Sequence, residues 1–329
     1  MREIKITSQE ASQRFDKFLN RYLKLAGNGF LHKMLRKKNI TLNDKKAEGK
    51  EVLVTGDTVK LFLAEETIKK FQGAAEDADH YPVSKKLKVL YEDKAVLILN
   101  KPCGMLSQQA KPEDLSANEY MLGYLLSTGQ LTTEDFGRYR PGICNRLDRN
   151  TSGLLLAAKT LPAAQQLSEL LKSRNLAKYY LTVVAGVLSE SSHLKGYLQK
   201  DEKCNKVSIS MEYREDADLI ETSYEPLSNN GRFTLLKVHL ITGRTHQIRS
   251  HLAYTGHPVV GDAKYGFQKI NQYFKTKYQL TNQLLHAWQI TFPADAACPG
   301  HLAGKTTEAP LPEQFQTILT EEILWERAK

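Results

Sequence analysis

Five consecutive apolar residues follow a charged and polar loop near the middle of the chain. The apolar run spans residues 154–158, Leu-Leu-Leu-Ala-Ala, and the loop before it spans residues 145–153. A strand with apolar side chains on both faces is covered on both faces, as the inner strands of a large sheet are. The run therefore predicts the central strand of a sheet, with a polar loop at its entrance.

The rest of the chain mixes helical and strand patterns without a strict alternation of the two. Apolar residues at helical spacing predict helices over residues 115–126 and 161–172, the second with Thr160 as its N-cap. Apolar runs bounded by turn residues predict strands over residues 95–99, 179–184, 207–211 and 233–240. This mixture predicts an α+β fold with a mixed, mainly antiparallel sheet flanked by helices.

The first 63 residues carry most of the excess positive charge. They contain 14 Lys or Arg and 7 Asp or Glu, a net charge of +7, against +9 for all 329 residues. Apolar residues at helical spacing predict two short helices around the turn at residues 27–29, followed by a strand, a turn and a second strand. Lys33, Arg36 and Lys37 cluster beside the apolar stripe of the second helix, which gives this helix a face suited to phosphate binding.

A polar segment separates this basic unit from the remainder of the chain. Residues 65–85 are rich in charged residues and have no sustained apolar period, which is typical of a linker. We therefore predict a small basic unit over residues 1–64, a linker over 65–85 and a large domain over 86–329.

Composition and residue spacing exclude several classes of protein. No stretch approaches the ~20 apolar residues that cross a bilayer, and the N-terminus has no apolar signal core, so we expect a cytoplasmic protein without a membrane partner. The four cysteines form no C-x-x-C pair, and the histidines at 246, 251 and 257 lack the spacing of zinc ligands. We therefore expect no metal and no disulfide, and the net charge favours a polyanionic partner.

The loop before the apolar run holds one carboxylate between two cations. Asp148 lies between Arg146 and Arg149, at the predicted entrance to the buried strand. Nearby positive charge favours the ionised form of a carboxylate, and an ionised, partly desolvated carboxylate can act as a nucleophile or a base. An ordinary turn aspartate that pairs with arginine is the alternative, and the residues alone favour it.

A second polar cluster follows the predicted strand that ends at residue 240. Residues 241–252 read Ile-Thr-Gly-Arg-Thr-His-Gln-Ile-Arg-Ser-His-Leu, and we expect a helix to begin near Thr242. Ile248 and Leu252 are four residues apart and would face the core. Arg249 would then lie on a different face, where a guanidinium can bind a carboxylate through two hydrogen bonds.

Two neighbouring tyrosines lie on a predicted strand. Tyr179 and Tyr180 point to opposite faces, because side chains alternate along a strand. Most strand aromatics belong to a core. Alternation alone does not choose which of the two tyrosines faces a functional site.

The segment around Asp148 resembles the signature of the RluA-type pseudouridine synthases. Residues 146–156, Arg-Leu-Asp-Arg-Asn-Thr-Ser-Gly-Leu-Leu-Leu, match that signature in order, and residues 243–249, Gly-Arg-Thr-His-Gln-Ile-Arg, resemble a second block of the family. The resemblance implies the fold of that family. It also implies that Asp148 acts at the ribose of a uridine, and that Arg146 fills the space of the base when the uridine flips out of the RNA.

The resemblance implies roles for further residues. Arg249 ends the second block and would pair with the catalytic aspartate. The family pattern Lys-x-Tyr selects Tyr180, which would stack on the flipped base and help to remove the C5 proton, and a Leu-Leu-His-Ala-Trp segment places Leu285 in the uracil pocket. We assign Arg149 and Arg244 to RNA contacts. One residue departs from the family pattern, since Asn145 stands where a histidine is frequent.

The basic N-terminal unit resembles the S4 RNA-binding domain over residues 12–63, with two helices, a basic helix end and a strand–turn–strand. The resemblance implies RNA contacts from Lys33, Arg36 and Lys37. No other motif points to a cofactor, and none is expected.

Together these features predict an RNA pseudouridine synthase, an isomerase that acts as a monomer on uridines of 23S ribosomal RNA. Two other functions fit parts of the sequence. A non-catalytic ribosomal RNA-binding assembly factor would keep the basic unit and the fold but not the reaction. An RNA or nucleoside glycosidase would also break an N-glycosidic bond, but it usually needs a second carboxylate to activate water, and the catalytic blocks contain none.

Overall fold

The computed structural model describes residues 1–74, 78–201, 206–294 and 298–324. The first unit combines three helices with a four-stranded antiparallel sheet in the order β1-β4-β2-β3. Its elements are β1 (Arg2–Lys5), α1 (Phe15–Tyr22), α2 (Asn28–Arg36), β2 (Ile40–Leu42), β3 (Lys45–Lys46), β4 (Thr58–Leu61) and α3 (Glu65–Gln72).

The core of this first unit forms between its helices and its sheet. Phe15, Phe18 and Leu19 of α1 are fully buried, and Leu31 and Leu35 of α2 pack in the same cluster. The apolar spacing that predicted two helices is therefore the spacing of the buried face. The basic residues of α2 lie on the opposite, exposed face.

The first helix beyond residue 64 differs from the prediction. Residues 65–72 were predicted to belong to a linker, but they form α3, whose single fully buried residue, Ile68, packs into the core of the first unit together with Phe71. Two apolar residues three apart are enough to hold two helical turns against an existing core. They are too few to stand out as a sustained period in the sequence.

The large domain is built around one sheet of 11 strands. Its elements are β5 (Lys88–Glu92), β6 (Val96–Lys101), α4 (Ala117–Ser127), β7 (Gly142–Ile143), β8 (Ser152–Ala158), α5 (Leu161–Lys172), β9 (Ala177–Ala185), β10 (Ser192–Asp201), β11 (Lys206–Ser210), β12 (Asp218–Asn229), β13 (Phe233–Leu240), α6 (Gln247–Tyr254), α7 (Gln268–Tyr278), β14 (Leu285–Thr291), β15 (Thr306–Glu308) and α8 (Glu313–Glu321).

The strand order confirms the predicted α+β class. The strands follow one another as β11-β10-β12-β13-β9-β14-β8-β6-β5, with β15 paired to β14 and β7 paired to β8. Only the β14–β8 pair is parallel among the described strand pairs, and the others are antiparallel. The helix predicted over residues 161–172 is α5, and the side chain of Thr160 caps it by accepting a hydrogen bond from the Ala163 amide.

The apolar run is an inner strand of the sheet, as predicted. Every residue of β8 is buried. Gly153, which lies at the start of β8, has φ +110° and packs against the backbone of β14. A Cβ at this position would lie 2.2 Å from the carbonyl oxygen of Ala287, so only glycine fits where the two strands run in parallel.

Two further elements differ from the sequence prediction. The helix expected to begin near Thr242 begins at Gln247, because the Thr242 hydroxyl forms hydrogen bonds with Glu221 of β12 and with the Gln247 side chain. These contacts hold residues 242–246 as a turn. Beyond residue 294, where the sequence carried no recognised signal, β15 extends the sheet and α8 packs three buried side chains on it.

Backbone and side-chain contacts join the first unit to the large domain at the start of α5. The Leu161 amide donates to the carbonyl oxygen of Gln9 (2.8 Å), and the Gln165 side chain donates to that of Ser12 (3.0 Å). Nearby, the guanidinium of Arg138 lies 2.8 Å from the carboxylate of Glu10. The helices that the structure describes include none long and apolar enough to span a bilayer.

Candidate active site

Asp148 lies on a loop that is fastened to the central strand by a side-chain amide. Asn145 accepts a hydrogen bond from the Leu156 amide (2.7 Å) and donates one to the carbonyl oxygen of Leu154 (3.3 Å). Both partners belong to β8, which follows the loop. The residue that departs from the family pattern is thus a structural contact, and its amide supplies both a donor and an acceptor.

Two side chains hold the same loop from the other side. The Ser107 hydroxyl donates to the carbonyl oxygen of Leu147 (2.9 Å) and accepts from the amide of the same residue (3.0 Å). The ammonium of Lys101 is fully buried and donates to three carbonyl oxygens, including that of Arg149 (3.0 Å). Burial lowers the pKa of Lys101 to about 8. The backbone on both sides of Asp148 is therefore fixed.

The carboxylate of Asp148 is bound by an arginine that also binds a second carboxylate. Nη1 of Arg249 donates to Oδ2 of Asp148 (2.7 Å), while its Nε and Nη2 donate to the two oxygens of Asp262 (2.6 and 2.9 Å). Burial alone would lower the pKa of Arg249, but the hydrogen bonds to Asp262 and the charges of both carboxylates raise it. Arg249 thus stays charged between two anions.

Asp262 is the anchor of this arrangement. It is completely buried and accepts two further hydrogen bonds, from the amides of Lys264 (2.8 Å) and Tyr265 (3.2 Å). Burial on its own would raise the pKa of Asp262, but the hydrogen bonds from Arg249 and from these amides hold it below its ordinary value. Asp262 therefore stays ionised and orients Arg249 toward Asp148.

A histidine completes the surroundings of Asp148. Nε2 of His246 lies 3.9 Å from Oδ2 of Asp148, and its Nδ1 lies 3.0 Å from the hydroxyl of Tyr265. That hydroxyl accepts a hydrogen bond from the Val207 amide (3.0 Å), so its own proton is free to be donated to Nδ1. This chain of donors selects the tautomer of His246 with its proton on Nε2, which faces Asp148.

His246 also has an unusual backbone. It is the N-cap of α6 and has φ +55° and ψ +16°, a left-handed conformation in which residues other than glycine are uncommon. Burial lowers the pKa of His246, and the charge of Arg249 adds to this effect against the attraction of Asp148. A neutral imidazole therefore faces the carboxylate.

Both partners of Asp148 lie on the same oxygen. Arg249 and His246 approach Oδ2, whereas Oδ1 accepts no hydrogen bond from the residues that the structure describes. One oxygen is held in place and the other is left for a substrate. A carboxylate oxygen without a hydrogen bond can accept a proton or act as a nucleophile.

Asp148 opens into a cavity of about 530 Å³, which is large enough for a nucleoside. Its apolar wall includes Tyr180 of β9, Ile248 of α6 and Leu285 of β14. Tyr179, the neighbour of Tyr180, points away from the cavity and stacks on His239 with a centroid distance of 4.8 Å. Burial, with a further contribution from Asp148, raises the pKa of Tyr180 far above its ordinary value.

The sequence matches known pseudouridine synthases over nearly its whole length. The family model described as RNA pseudouridylate synthase matches residues 95–254. The ribosomal large subunit pseudouridine synthase C of Pasteurella multocida is 31% identical over 306 residues, which is 87% of this chain and 84% of that protein. The chain belongs to the RNA pseudouridylate synthase family. It is therefore an isomerase that converts uridine to pseudouridine in RNA.

Two further comparisons agree with this family. The ribosomal large subunit pseudouridine synthase C of Escherichia coli is 29% identical over 323 residues, or 96% of this chain and 95% of that protein. The solved structure of human RNA pseudouridylate synthase domain containing 4 has the same fold, with a TM-score of 0.57. It is 23% identical, and the match covers 71% of this chain and 92% of the human chain.

The structure of this pseudouridine synthase brings together Asp148, Tyr180, Arg249 and Leu285, which were predicted as site residues from separate segments of the sequence. Arg146 and Arg244 also line the cavity, with Arg244 in an exposed ion pair with Asp218 (2.9 Å). Some predicted RNA-binding residues lie elsewhere. The side chain of Arg149 donates to the carbonyl oxygen of Gly104 (3.1 Å). The three cations predicted for the first unit are exposed, with Lys33 and Arg36 on α2 and Lys37 at its C-cap.

Two buried histidines near the site, His286 and His251, have structural contacts. His286 is buried between the Ser152 hydroxyl (2.8 Å) and the carbonyl oxygen of Ala309 (3.2 Å), and burial lowers its pKa to about 4. His251 contacts the Thr222 hydroxyl (3.1 Å), and burial lowers its pKa to about 4 as well. The described part of the chain contains no group of side chains arranged to hold a metal ion.

Sequence reasoning missed Asp262, His246 and Lys101. Asp262 lies 13 residues after Arg249, at a spacing that no helix or strand repeat connects. The signal for Lys101 is its position two residues after the apolar run of residues 95–99, where a lysine is buried only if several acceptors surround it. No local pattern indicates the tautomer of His246, because it depends on the contact of Tyr265 with β11.

Proposed function

We propose that this enzyme isomerises specific uridines in large-subunit ribosomal RNA. Both curated relatives described above carry the name ribosomal large subunit pseudouridine synthase C, and they align with almost the whole chain. The observation that carries the proposal is the carboxylate of Asp148, bound through one oxygen at the wall of a nucleoside-sized cavity.

The reaction begins when a uridine leaves the RNA stack and enters the cavity. Asp148 acts on the ribose, either at C1′ or at the neighbouring ribosyl proton, and the bond between N1 and C1′ breaks. The uracil stays in the cavity, rotates, and forms a new bond between C5 and C1′. One proton leaves C5 and one joins N1, so the product is an isomer of the substrate.

Tyr180 and Leu285 hold the uracil during this rotation. Both are buried in the cavity wall, and an apolar wall favours a flat ring without fixing its orientation. Because the pKa of Tyr180 is raised, its phenol stays protonated at neutral pH and is a poor base. Asp148 has the one carboxylate in the described lining of the cavity, so we assign it as the base that accepts the C5 proton.

The N-terminal unit is proposed to bind RNA as an S4-like domain. Lys33, Arg36 and the C-cap Lys37 are exposed in the last turns of α2, and no ion pair with a described residue neutralises them. Exposed cations on a rigid helix are suited to phosphate contacts. We propose that the enzyme acts as a monomer, and the proposed ribosomal substrate supports action in the cytoplasm.

Asp148→Asn tests the proposed chemistry. The amide keeps the shape of the side chain but can neither attack a ribosyl carbon nor accept a proton. We expect it to abolish tritium release from large-subunit RNA that carries C5-tritiated uridine, while RNA affinity changes little. Asp218→Asn, which removes a carboxylate from an exposed ion pair, is the matched control and should keep normal activity.

Three results would contradict the proposal in different ways. Normal tritium release by Asp148→Asn would show that another group does the chemistry. RNA binding by the wild-type protein without tritium release would favour the assembly factor. Free uracil among the products would favour the glycosidase.

A further inference from the structure

The lining of the active-site cavity contains many more cationic than acidic side chains. The carboxylate of Asp148 is the one acidic group in its described lining, and that carboxylate is already bound by Arg249. Six cationic side chains face the same space: Arg146, Lys172, Arg174, Lys178, Arg244 and Arg249. A concave surface with this balance attracts an anion, and the uracil base is not one.

Lys178 is the half-buried cation of this set, whereas Arg249 is buried and the other four are exposed. It precedes Tyr180 by two residues on β9, so the two side chains point to the same face of the sheet and both line the cavity. Its ammonium reaches the turn before α6, where it lies 3.7 Å from the position that a Cβ on Gly243 would take. Its ammonium forms no hydrogen bond or ion pair with a described residue.

Arg174 lies beside Lys178 and is held in a strained backbone. It follows the end of α5 and has φ +63°, the left-handed region that favours glycine. An arginine here costs backbone energy that a glycine would not. Its exposed guanidinium faces the same cavity and forms no ion pair with a described residue.

Lys178 and Arg174 repel each other in the absence of a ligand. Burial lowers the pKa of Lys178, and the nearby charge of Arg174 lowers it further. No described carboxylate lies close enough to relieve this repulsion. A bound anion would relieve it, and an RNA substrate brings phosphates to the mouth of the cavity.

We propose that Lys178 and Arg174 form a phosphate subsite that holds the RNA backbone beside the flipped uridine. The inference rests on the proposed RNA substrate. Lys178 and Tyr180 are one strand repeat apart, about 6.7 Å, so a base against Tyr180 would place its own backbone near Lys178. The subsite would fix the ribose over Asp148 while the uracil is free to rotate.

The test compares the salt dependence of RNA binding between variants. Lys178→Met keeps the length of the side chain without its charge, Lys178→Arg restores the charge, and Arg174→Gly removes a charge while it relieves the backbone. Lys269→Met, on the exposed side of α7, is the matched control for loss of one surface lysine. The probe is an unmodified transcript of large-subunit ribosomal RNA.

Each lost phosphate contact should reduce the magnitude of the negative slope of log K against log salt concentration by about 0.7 to 0.9. We expect this change for Lys178→Met and for Arg174→Gly, with wild-type slopes for Lys178→Arg and Lys269→Met. KM should rise about tenfold in Lys178→Met, as for the loss of one charged hydrogen bond, while kcat stays close to that of the wild type. Arg174→Gly should unfold at the wild-type temperature or above it.

Other results would overturn the subsite. An unchanged slope in Lys178→Met, or a fall in kcat without a change in KM, would show that Lys178 does not act through the RNA backbone. Wild-type binding without any salt dependence would overturn it as well. Wild-type binding without pseudouridine formation would refute the proposed function instead, and the comparison of slopes would still decide the subsite.

Discussion

Asp262→Asn is the substitution that most directly tests how the active site is held together. Asp262 is fully buried and receives two hydrogen bonds from Arg249 and two from backbone amides. An asparagine in this position has one oxygen. If that oxygen keeps the contacts of Oδ1, the new NH₂ group faces the Nε–H of Arg249, and two donors meet.

The expected cost follows from the burial of the pair. Breaking a buried ion pair by the loss of one partner destabilises a protein by about 3–5 kcal/mol. With an unfolding entropy of roughly 2.1 cal/mol/K per residue, this lowers the unfolding temperature of a chain of this length by about 4–7 °C. Asp218→Asn makes the same chemical change opposite Arg244, where both side chains are about half exposed, and should cost at most ~1 kcal/mol.

The pH dependence of the stability difference between the wild type and Asp262→Asn provides a second readout. The pKa of Asp262 is lowered in the folded protein, so its ionised form contributes stability that is present above the unfolded-state value of about 4. That contribution is lost as the pH falls through the lower folded-state value. The gap between wild type and Asp262→Asn should therefore be full at pH 7 and should shrink in acid.

Calorimetric unfolding of both variants between pH 7 and pH 3, together with tritium release at pH 7, would measure these effects. We expect Asp262→Asn to lose activity by more than tenfold at temperatures where it is folded, because Arg249 is no longer oriented toward Asp148. A variant with wild-type stability and activity would refute the role of Asp262 as the anchor of Arg249. A stability gap that does not change with pH would refute its electrostatic origin.

Two further predictions concern His246 and the N-terminal unit. Tyr265→Phe removes the donor to Nδ1 of His246 and should lower the free energy of unfolding by about 1 kcal/mol. The rate of tritium release should fall about tenfold without a change in KM. An unchanged rate would show that the tautomer of His246 does not affect the reaction. Lys33 and Arg36 of α2 and the C-cap Lys37 are exposed. Replacing all three by alanine should reduce the magnitude of the slope of log K for RNA binding against log salt concentration by up to about 2–3. An unchanged slope would show that this helix end does not contact phosphate.

Local patterns in the sequence predicted the elements that surround the site. The apolar run of β8 and the capped period of α5 are signals contained within a dozen residues, and both elements appear where they were predicted. Elements with few apolar residues were not predicted. The helix α3 depends on Ile68 and Phe71, which matter only because a core already exists for them to pack against.

The contacts of the site were harder to predict, since they join distant parts of the chain. Asp148 and Arg249 were paired only through the family resemblance, and they are 101 residues apart. The ion pair of Arg249 with Asp262 and the position of Lys178 depend on the order of strands in the sheet, which no local period encodes. Asn145 departs from the family pattern in the sequence, and the structure explains this departure, because its side chain forms two hydrogen bonds with β8.

The helix α5 joins two regions that are proposed to touch RNA. Its first turn is bonded to the N-terminal unit through Leu161, and its last residue is followed within two positions by Arg174 at the mouth of the cavity. Twelve helical residues at 1.5 Å each make a rod of about 18 Å. The helix thus separates the N-terminal unit from the mouth of the cavity, and an RNA that contacts both the unit and the cavity must have a shape that fits this separation. Selection of a uridine would then depend on the folded shape of the RNA as well as on the sequence around the base.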